Sequence, residues 1–427
     1  MDSSFVILIL ADLFGRPPKG LPRLRDRRPV TVTRGSFDSL LARGRSTLAV
    51  SPEFPNSPAD PVNLRSSWLG LKRLADAMGP LPYVTVKIWD VSKAALLRDL
   101  YMAPSLEHST VFKRVYSDGL GTFGSAPVGL IIGDFDISPS AEDCELVGML
   151  AFSGAPLLCG VTPAFLSCSR WDEVGNADFA GEEDSRLPRG WPTQCGHAES
   201  RFLFPLLPRW RSGATREGDR PWLHPGYLVA IRVVGAMQAR TFGGAIGNLF
   251  HKFSASSLEY LQDYSFLVID SLWDVESEWN CEESQASMFQ KMGLNLVSDS
   301  MIRSRDLLET LVSAGHMARP KSHETLAKAL LLGGTAQQLR LCVRQKRRSD
   351  SGVALIAAIT DWSRTQVPRD SSGEPLLQVK HVAISLPRVD ELTIAVAWHP
   401  AAGGGIEQIK LQVPGIRDHR SEWFAES

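Results

Sequence analysis

Seven consecutive apolar residues, Phe5 to Ala11 (FVILILA), follow the polar start Met1-Asp2-Ser3-Ser4. Seven is a strand length, well short of the roughly 20 apolar residues that cross a membrane as a helix. The flank holds Asp2 and no Lys or Arg, so the run predicts a buried strand rather than a signal segment. Val30 to Thr33 is β-branched and strand-like, and Phe37, Leu40 and Leu41 recur at helical spacing. Pro52, Pro55, Pro58 and Pro61 then mark an extended linker over 51–66. From there the period alternates. Trp68, Leu71, Ala75 and Met78 line one helix face; Val84, Val86 and Ile88 alternate with polar neighbours as in a strand. Ser92 caps a helix that carries Leu96, Leu97, Leu100 and Tyr101, and another helix runs near Ser109 to Tyr116. Val128 to Ile132 reads as a buried strand, Leu146, Val147, Leu150 and Ala151 as a helix face, and Pro156 to Val161 as a further strand.

Strands alternating with helices predict an α/β fold: a mixed, mostly parallel sheet flanked by helices. Residues 172–222, with Glu182, Glu183 and Asp184, read as loop-rich; Tyr227 to Arg240 is helical; 243–300 has no clear period. Residues 323–344 form an apolar helix interrupted by Gly333-Gly334, each glycine costing about 1 kcal/mol there. Gln378 to Leu386, Leu392 to Trp398 and Ile406 to Val413 predict a C-terminal antiparallel meander. The expected division is a small α/β segment at 1–50, the linker at 51–66, an α/β domain at 67–320, and a helix-plus-meander region at 321–427.

Composition narrows the function. The chain has 427 residues, 44% of them apolar and 22% charged, which is a globular balance. Lys plus Arg is 46 and Asp plus Glu is 47, a net charge of -1 that argues against a nucleic-acid binder. Cys144, Cys159, Cys168, Cys195, Cys281 and Cys342 are dispersed without CxxC, which suits a reducing cytosol rather than a disulfide or zinc framework.

The chemistry-bearing motifs are weak. Gly119, Gly121 and Gly124 match GxGxxG, but helix precedes and strand follows, the reverse of a dinucleotide site, so a structural turn is expected. Asp134 and Asp136 end a strand, where acids hold metal in some sheets; with no third ligand in sight, capping of the next helix or turn is the simpler expectation. His323-Glu324 lacks the second histidine of HExxH, and Cys195 with His197 has no second ligand pair. Neither GxSxG nor GxxxxGK[ST] occurs. Arg344, Lys346, Arg347 and Arg348 fit a solvated helix end. The basic loop with Arg16, Lys19, Arg23, Arg25, Arg27 and Arg28 lacks the interleaved aromatics of a stacking platform. No catalytic, cofactor or metal residue is therefore expected, and a non-enzymatic assembly role is. The alternatives are a non-polymerising accessory or adaptor of an assembly and, ranked below it, a metal-dependent α/β enzyme using Asp134 and Asp136.

One block of local patterns is distinctive: Ser67-Trp68-Leu69-Gly70-Leu71, Val86-Lys87-Ile88, Val91-Ser92-Lys93 with Leu96-Leu97-Arg98-Asp99-Leu100, Val111-Phe112-Lys113-Arg114-Val115-Tyr116, Gly121-Thr122-Phe123-Gly124, and Pro127 through Phe135. In this order they resemble the large contractile-sheath subunit of bacterial type VI secretion systems (TssC/VipB-like). Ser200-Arg201-Phe202 with Leu207-Pro208-Arg209, Pro225-Gly226-Tyr227, Lys291-Met292-Gly293-Leu294 and Ala318-Arg319-Pro320-Lys321 continue the likeness, as does the final meander. Leu8 through Leu13, Arg28-Pro29-Val30 and Phe37 through Arg43 instead resemble the small subunit (TssB/VipA-like). The whole looks like a compressed fusion of the two.

The resemblance implies a cytoplasmic structural protein that forms a helical tube around an inner tube and contracts to drive it outward. Its implied partners are other sheath subunits, met by strand addition at exposed edges, with the inner tube protein and the baseplate. The terminal strands Phe5 to Ala11 and Ile406 to Val413 are the expected pairing elements, within or between subunits. The large subunit's long N-terminal arm, which holds the family's AAA+ unfoldase-recognition helix, has no counterpart in the pattern, so the resemblance gives no support to recycling by that unfoldase. Neither nucleic acid nor membrane insertion is implied.

Overall fold

The structure is a computed structural model. It describes residues 5–13, 24–33, 35–40, 62–78, 84–118, 127–174, 190–212, 221–238, 275–278, 285–298, 301–302, 307–320, 324–346, 352–365, 367, 374–375, 377–385, 391–398, 406–412 and 425–426. In chain order the strands are β1 Phe5–Ala11, β2 Val30–Val32, β3 Val84–Asp90, β4 Val128–Ile137, β5 Leu157–Val161, β6 Leu203–Leu207, β7 Trp210–Ser212, β8 Val275–Ser277, β9 Asn295–Leu296, β10 Leu377–Ser385, β11 Glu391–Trp398, β12 Ile406–Gln412 and β13 Ala425–Glu426. The helices that cover the sheets are α1 Val62–Met78, α2 Lys93–Met102, α3 Ala141–Ala151, α4 Gly190–Gly196, α5 Pro225–Gln238, α6 Leu326–Lys346 and α7 Gly352–Thr365.

Seven strands form one sheet in the order β2-β3-β1-β4-β5-β6-β9. Every neighbour pair is parallel except β2 with β3. A separate antiparallel sheet has the order β12-β11-β10-β13. The mixed, mostly parallel α/β architecture and the C-terminal meander are thus as the periodicity predicts.

β1 is an interior strand of the large sheet, third in its order. Its seven residues are buried on both faces, and its two edges pair with β3 and β4. A strand enclosed in this way has no polar face to present, which is why it reads as an unbroken apolar run. Phe5, Ile7 and Ile9 point into one core, shared with α1, α5 and α6; Val6, Leu8 and Leu10 point into the other, shared with α2, α3 and α4. The first residues of β1 demand a specific partner. The β1–β4 register skips Gly129, and a Cβ there would lie 2.3 Å from the Phe5 ring. Beyond the strand, Leu13 N–H donates to Asp90 Oδ1 at 3.0 Å and Trp68 Nε1 donates to Leu13 O at 2.9 Å.

Local signals account for the helix ends. Ser92 Oγ accepts from Ala95 N–H and Ser140 Oγ from Asp143 N–H, capping α2 and α3. Gly333 inside α6 has a packing reason: a Cβ there would meet the Gly154 carbonyl oxygen, so the glycine lets the helix lie against the α3–β5 turn. The inner face of the meander, with Leu377, Val382, Ile394, Val396 and Ile409, joins the same core as α6 and α7.

Some elements depart from the periodicity. Residues 62–66, expected in the linker, are the first turn of α1; the four prolines themselves lie outside the described residues. The stretch expected to be loop-rich contains α4 and β6. Pro205 hides β6, since proline in a paired strand is normally confined to an edge. Here its carbonyl accepts from Asn295 Nδ2 at 3.2 Å, and the β9 ladder starts only at Leu206. The missing N–H therefore faces a side with no ladder partner. Within 243–300, which showed no period, Asn295–Leu296 closes the sheet as β9. Asn295 seals that edge by exchanging hydrogen bonds with Val312 N–H and O, both at 2.8 Å.

Two predictions follow the strand geometry. Ile9→Ala should lower unfolding stability by about 2–5 kcal/mol, as for other buried Ile truncations, whereas Ile406→Ala, at a residue 70% exposed, should stay within about 0.5 kcal/mol; urea denaturation measures both. Burial, with Asp12 nearby, pushes the Asp90 carboxyl up to about 6, against the Leu13 N–H and Arg27. A folded-state value above the unfolded one favours folding at low pH, and that contribution is lost as pH rises through about 6. Asp90→Asn keeps an acceptor for Leu13 and removes the charge. It should exceed the parent stability by about 1–2 kcal/mol at pH 8, with the gap closing toward pH 4.

Candidate functional site

The carboxyl edge of the parallel sheet is where ligands bind in open α/β folds, and Asp134 and Asp136 stand there on β4. The β4–β5 register jumps from Gly133 to Asp136, a bulge that turns the two acids toward different partners. Tyr227 Oη donates to Asp134 at 2.8 Å, and Ser67 also hydrogen-bonds this carboxylate. Burial raises the Asp134 carboxyl, while the two donors and the Arg209 charge pull the other way. Asp136 is ion-paired with Arg209. Burial opposes the Arg209 charge, but Asp136 first, then Glu278 and Asp134, hold the guanidinium above its usual value.

Two further groups close this cluster. Burial raises Glu278 and pushes His224 down to about 4. His224 Nδ1 accepts the Gly226 N–H at 3.1 Å, so the ring is neutral with its proton on Nε2. The acids of β4 therefore do not cap the next helix, as the sequence suggested. Asp143 does that work: its carboxylate accepts from Ser138 N–H and Oγ, both at 2.7 Å, and pairs with Lys93 at 2.9 Å. Chemically, the Asp134–Asp136 cluster is a polar brace that ties β4 to α1, α5 and the β6–β7 turn. Among the described residues no group of three His, Cys, Asp or Glu side chains is placed to hold a metal ion.

The other candidate residues are scattered. Cys195 is buried and its thiol is pushed far up by burial, whereas the His197 side chain is half exposed beside Glu199 at 3.4 Å. They form no nucleophile pair. Cys144 is raised to about 11 by burial, so it too is a poor thiolate source. Arg27 of the basic loop donates to the Asp90 carbonyl at 3.2 Å, and the Arg25 carbonyl accepts from Arg114 at 2.8 Å. This end of the loop is bound into the fold. Gly119, Gly121, Gly124, Arg16, Lys19, Arg23, His323, Arg347 and Arg348 lie outside the described residues.

Sequence reasoning missed a deeply set ion cluster. Glu324, 4% exposed, meets Arg201 at 3.2 Å and Arg319 at 3.5 Å, and accepts from Ser313 Oγ at 3.0 Å. The two arginines belong to the patterns Ser200-Arg201-Phe202 and Ala318-Arg319-Pro320-Lys321, more than a hundred positions apart. Only folding shows that both patterns meet one carboxylate. Gly315 sits against it, since a Cβ there would lie 2.7 Å from both Arg319 and Glu324.

The remaining chemistry is that of backbone edges. β1, expected to pair within or between subunits, pairs on both sides within this chain, so it offers no free edge. β12 is different. Among the described residues it pairs only with β11. Ile409 points into the core, while Ile406 and Gln408 on the opposite face are exposed. Among the described residues its other edge has no ladder partner, and such an edge is the template that strand addition uses. β2 ends the large sheet in the same one-sided way, with Val30 42% exposed.

A test follows for the ion cluster. Glu324→Gln leaves Arg201 and Arg319 facing each other without their shared counter-charge. It should cost about 3–5 kcal/mol in urea unfolding, the range for breaking a buried pair from one side. Arg319→Gln, whose side chain is 37% exposed, should cost about 1 kcal/mol or less.

Comparison with known proteins gives these features a setting. Residues 60–215 match the family described as VipB: EvpB/VC_A0108, tail sheath N-terminal domain. The chain is also 25% identical over 181 residues to the type VI secretion system sheath protein TssC1 of Pseudomonas aeruginosa, covering 41% of this chain and 36% of TssC1. It thus spans about a third of the length of that relative. No helix among the described residues is long and apolar enough to cross a membrane. The matched stretch contains α1 through β7, and with them Ser67, Asp134, Asp136 and Arg209 of the polar brace; Tyr227, His224 and Glu278 lie beyond it. Over residues 60–215, this chain is similar to the type VI secretion tail-sheath N-terminal domain.

Proposed function

We propose that this protein is a structural subunit of a type VI secretion-like contractile sheath, acting in the cytoplasm. In this reading many copies associate into a helical tube around an inner tube protein, and the tube shortens by repacking its subunit contacts between two arrangements. Its partners are other sheath subunits, then the inner tube and the baseplate. The helix-plus-meander region at 321–427 supplies a lateral contact through the open edge of β12, onto which an extended segment of a neighbour adds as a further strand.

One observation carries the reading: the stretch that matches the sheath domain supplies β3, β4, β5 and β6, four of the seven strands of the mostly parallel sheet. The groups at its carboxyl edge support it. Asp134 and Asp136 are matched by Tyr227 and Arg209, an arrangement that braces a scaffold and leaves neither acid poised for general acid–base work. The enzyme alternative rested on a third ligand joining these two acids, and the described residues supply none.

A second reading is a non-polymerising adaptor that binds a sheath made by other chains. Negative-stain electron microscopy with light scattering on the purified chain separates the two. Hollow striated tubes are expected. Ile406→Lys with Gln408→Lys, which place charge beside the open edge, should abolish the tubes without moving the thermal midpoint. A clean monomer that binds preformed sheath would establish the adaptor. A monomer that binds no sheath component would overturn both readings.

A further inference from the structure

The family match begins at residue 60, yet an interior strand of the sheet, β1 at residues 5–11, comes before it. Both strands that flank it, β3 and β4, lie inside the matched stretch. Without β1 they would face each other across a gap of about 10 Å, two strand spacings, with their inner backbone edges unpaired. Buried unpaired backbone groups are costly, and both hydrophobic cores would lose an interior row. The matched domain is therefore incomplete without a strand from elsewhere.

We infer that residues 1–40 act as a built-in strand donor that closes this slot from within the same chain, so that the sheath-type domain has no need of, and no room for, a separate strand-donating partner. Three features support a donor role. The segment grips β3 from both sides, β1 in parallel and β2 antiparallel. Its anchors have dedicated seats: the Phe5 ring occupies the space that a side chain at 129 would need, and Phe37 packs edge-on against Trp68 at 5.9 Å. The strand's exit is latched as well, by Val91 N–H on Ala11 O at 2.8 Å and by the Leu13–Asp90 and Trp68–Leu13 bonds. The inference concerns completion of the domain and does not depend on tube formation, so a failure of the sheath reading would leave it standing.

The test uses the full chain with a specific protease sequence inserted after Pro55. Cutting leaves β1 and β2 on one piece and the rest of both sheets on the other. The two pieces should co-elute at full-chain mass under native conditions and separate in denaturant. The probe for slot closure is a biotinylated peptide of residues 1–13. At about 1 μM it competes with a tethered strand at an effective concentration of about 1 mM, a disadvantage of about 1,000-fold. The intact chain should therefore capture far less peptide than the cut chain does after prolonged exchange. In the uncut chain, Gly129→Leu should lower the thermal midpoint, and adding Phe5→Ala should recover part of the loss. The inference is overturned if the N-terminal piece departs while the remainder keeps its cooperative melt, if intact and cut chains capture peptide equally, or if Gly129→Leu is silent.

Discussion

The rest of the structure depends on the backbone pairing of one strand. β1 has neighbours on both edges and cores on both faces, so its peptide groups have no route to water. Every N–H and C=O it carries must be matched by β3 or β4, in register, or the sheet fails at that strand. That requirement explains the helices on each side. Parallel sheets need cover on both faces, and α1, α5 and α6 supply one layer while α2, α3 and α4 supply the other. It also explains the bulge at Gly129, where β4 omits a side chain so that Phe5 can enter.

Around this apolar centre the charged groups are arranged in closed sets. Asp143 with Lys93 and Ser138, Asp136 with Arg209, and Glu324 with Arg201 and Arg319 each place an acid against its own counter-charge. Such sets hold segments in place: the first ties α2 to the start of α3, and the last joins the end of β9's supporting loop to the entry of α6. Their worth is specificity more than raw stability, because a desolvated pair gains little over a well-packed apolar contact. The outer edge of β12, without a ladder partner among the described residues, stands outside these sets.

Much of this was legible in the residues. The apolar run at Phe5, the alternation at Val84, Val86 and Ile88, the cap at Ser92 and the three-run meander each carry a local period that the fold obeys. What was illegible depended on distance. Pro205 masks β6 because the rule against proline in strands assumes two full ladders, and only the late start of β9 relaxes it. Asn295–Leu296 is too short for any period. The pairing of Asp134 with Tyr227, and of Arg201 with Glu324, joins positions about a hundred apart, which no window along the chain can see. Likewise the interior placement of β1 follows from topology; its composition shows only that it is buried.

That placement governs how the chain must be made. β1 is synthesised first, but its second neighbour ends at Ile137, more than 120 residues later. At translation rates of about 5–20 residues per second, FVILILA waits roughly 6–25 s for β4. During that interval an apolar, uncharged heptamer with high β-propensity is exposed on a nascent chain, the profile of an aggregation nucleus. The order of strands in the finished sheet thus places a demand on synthesis: β1 stays open to the wrong partners until β3 and β4 arrive to enclose it.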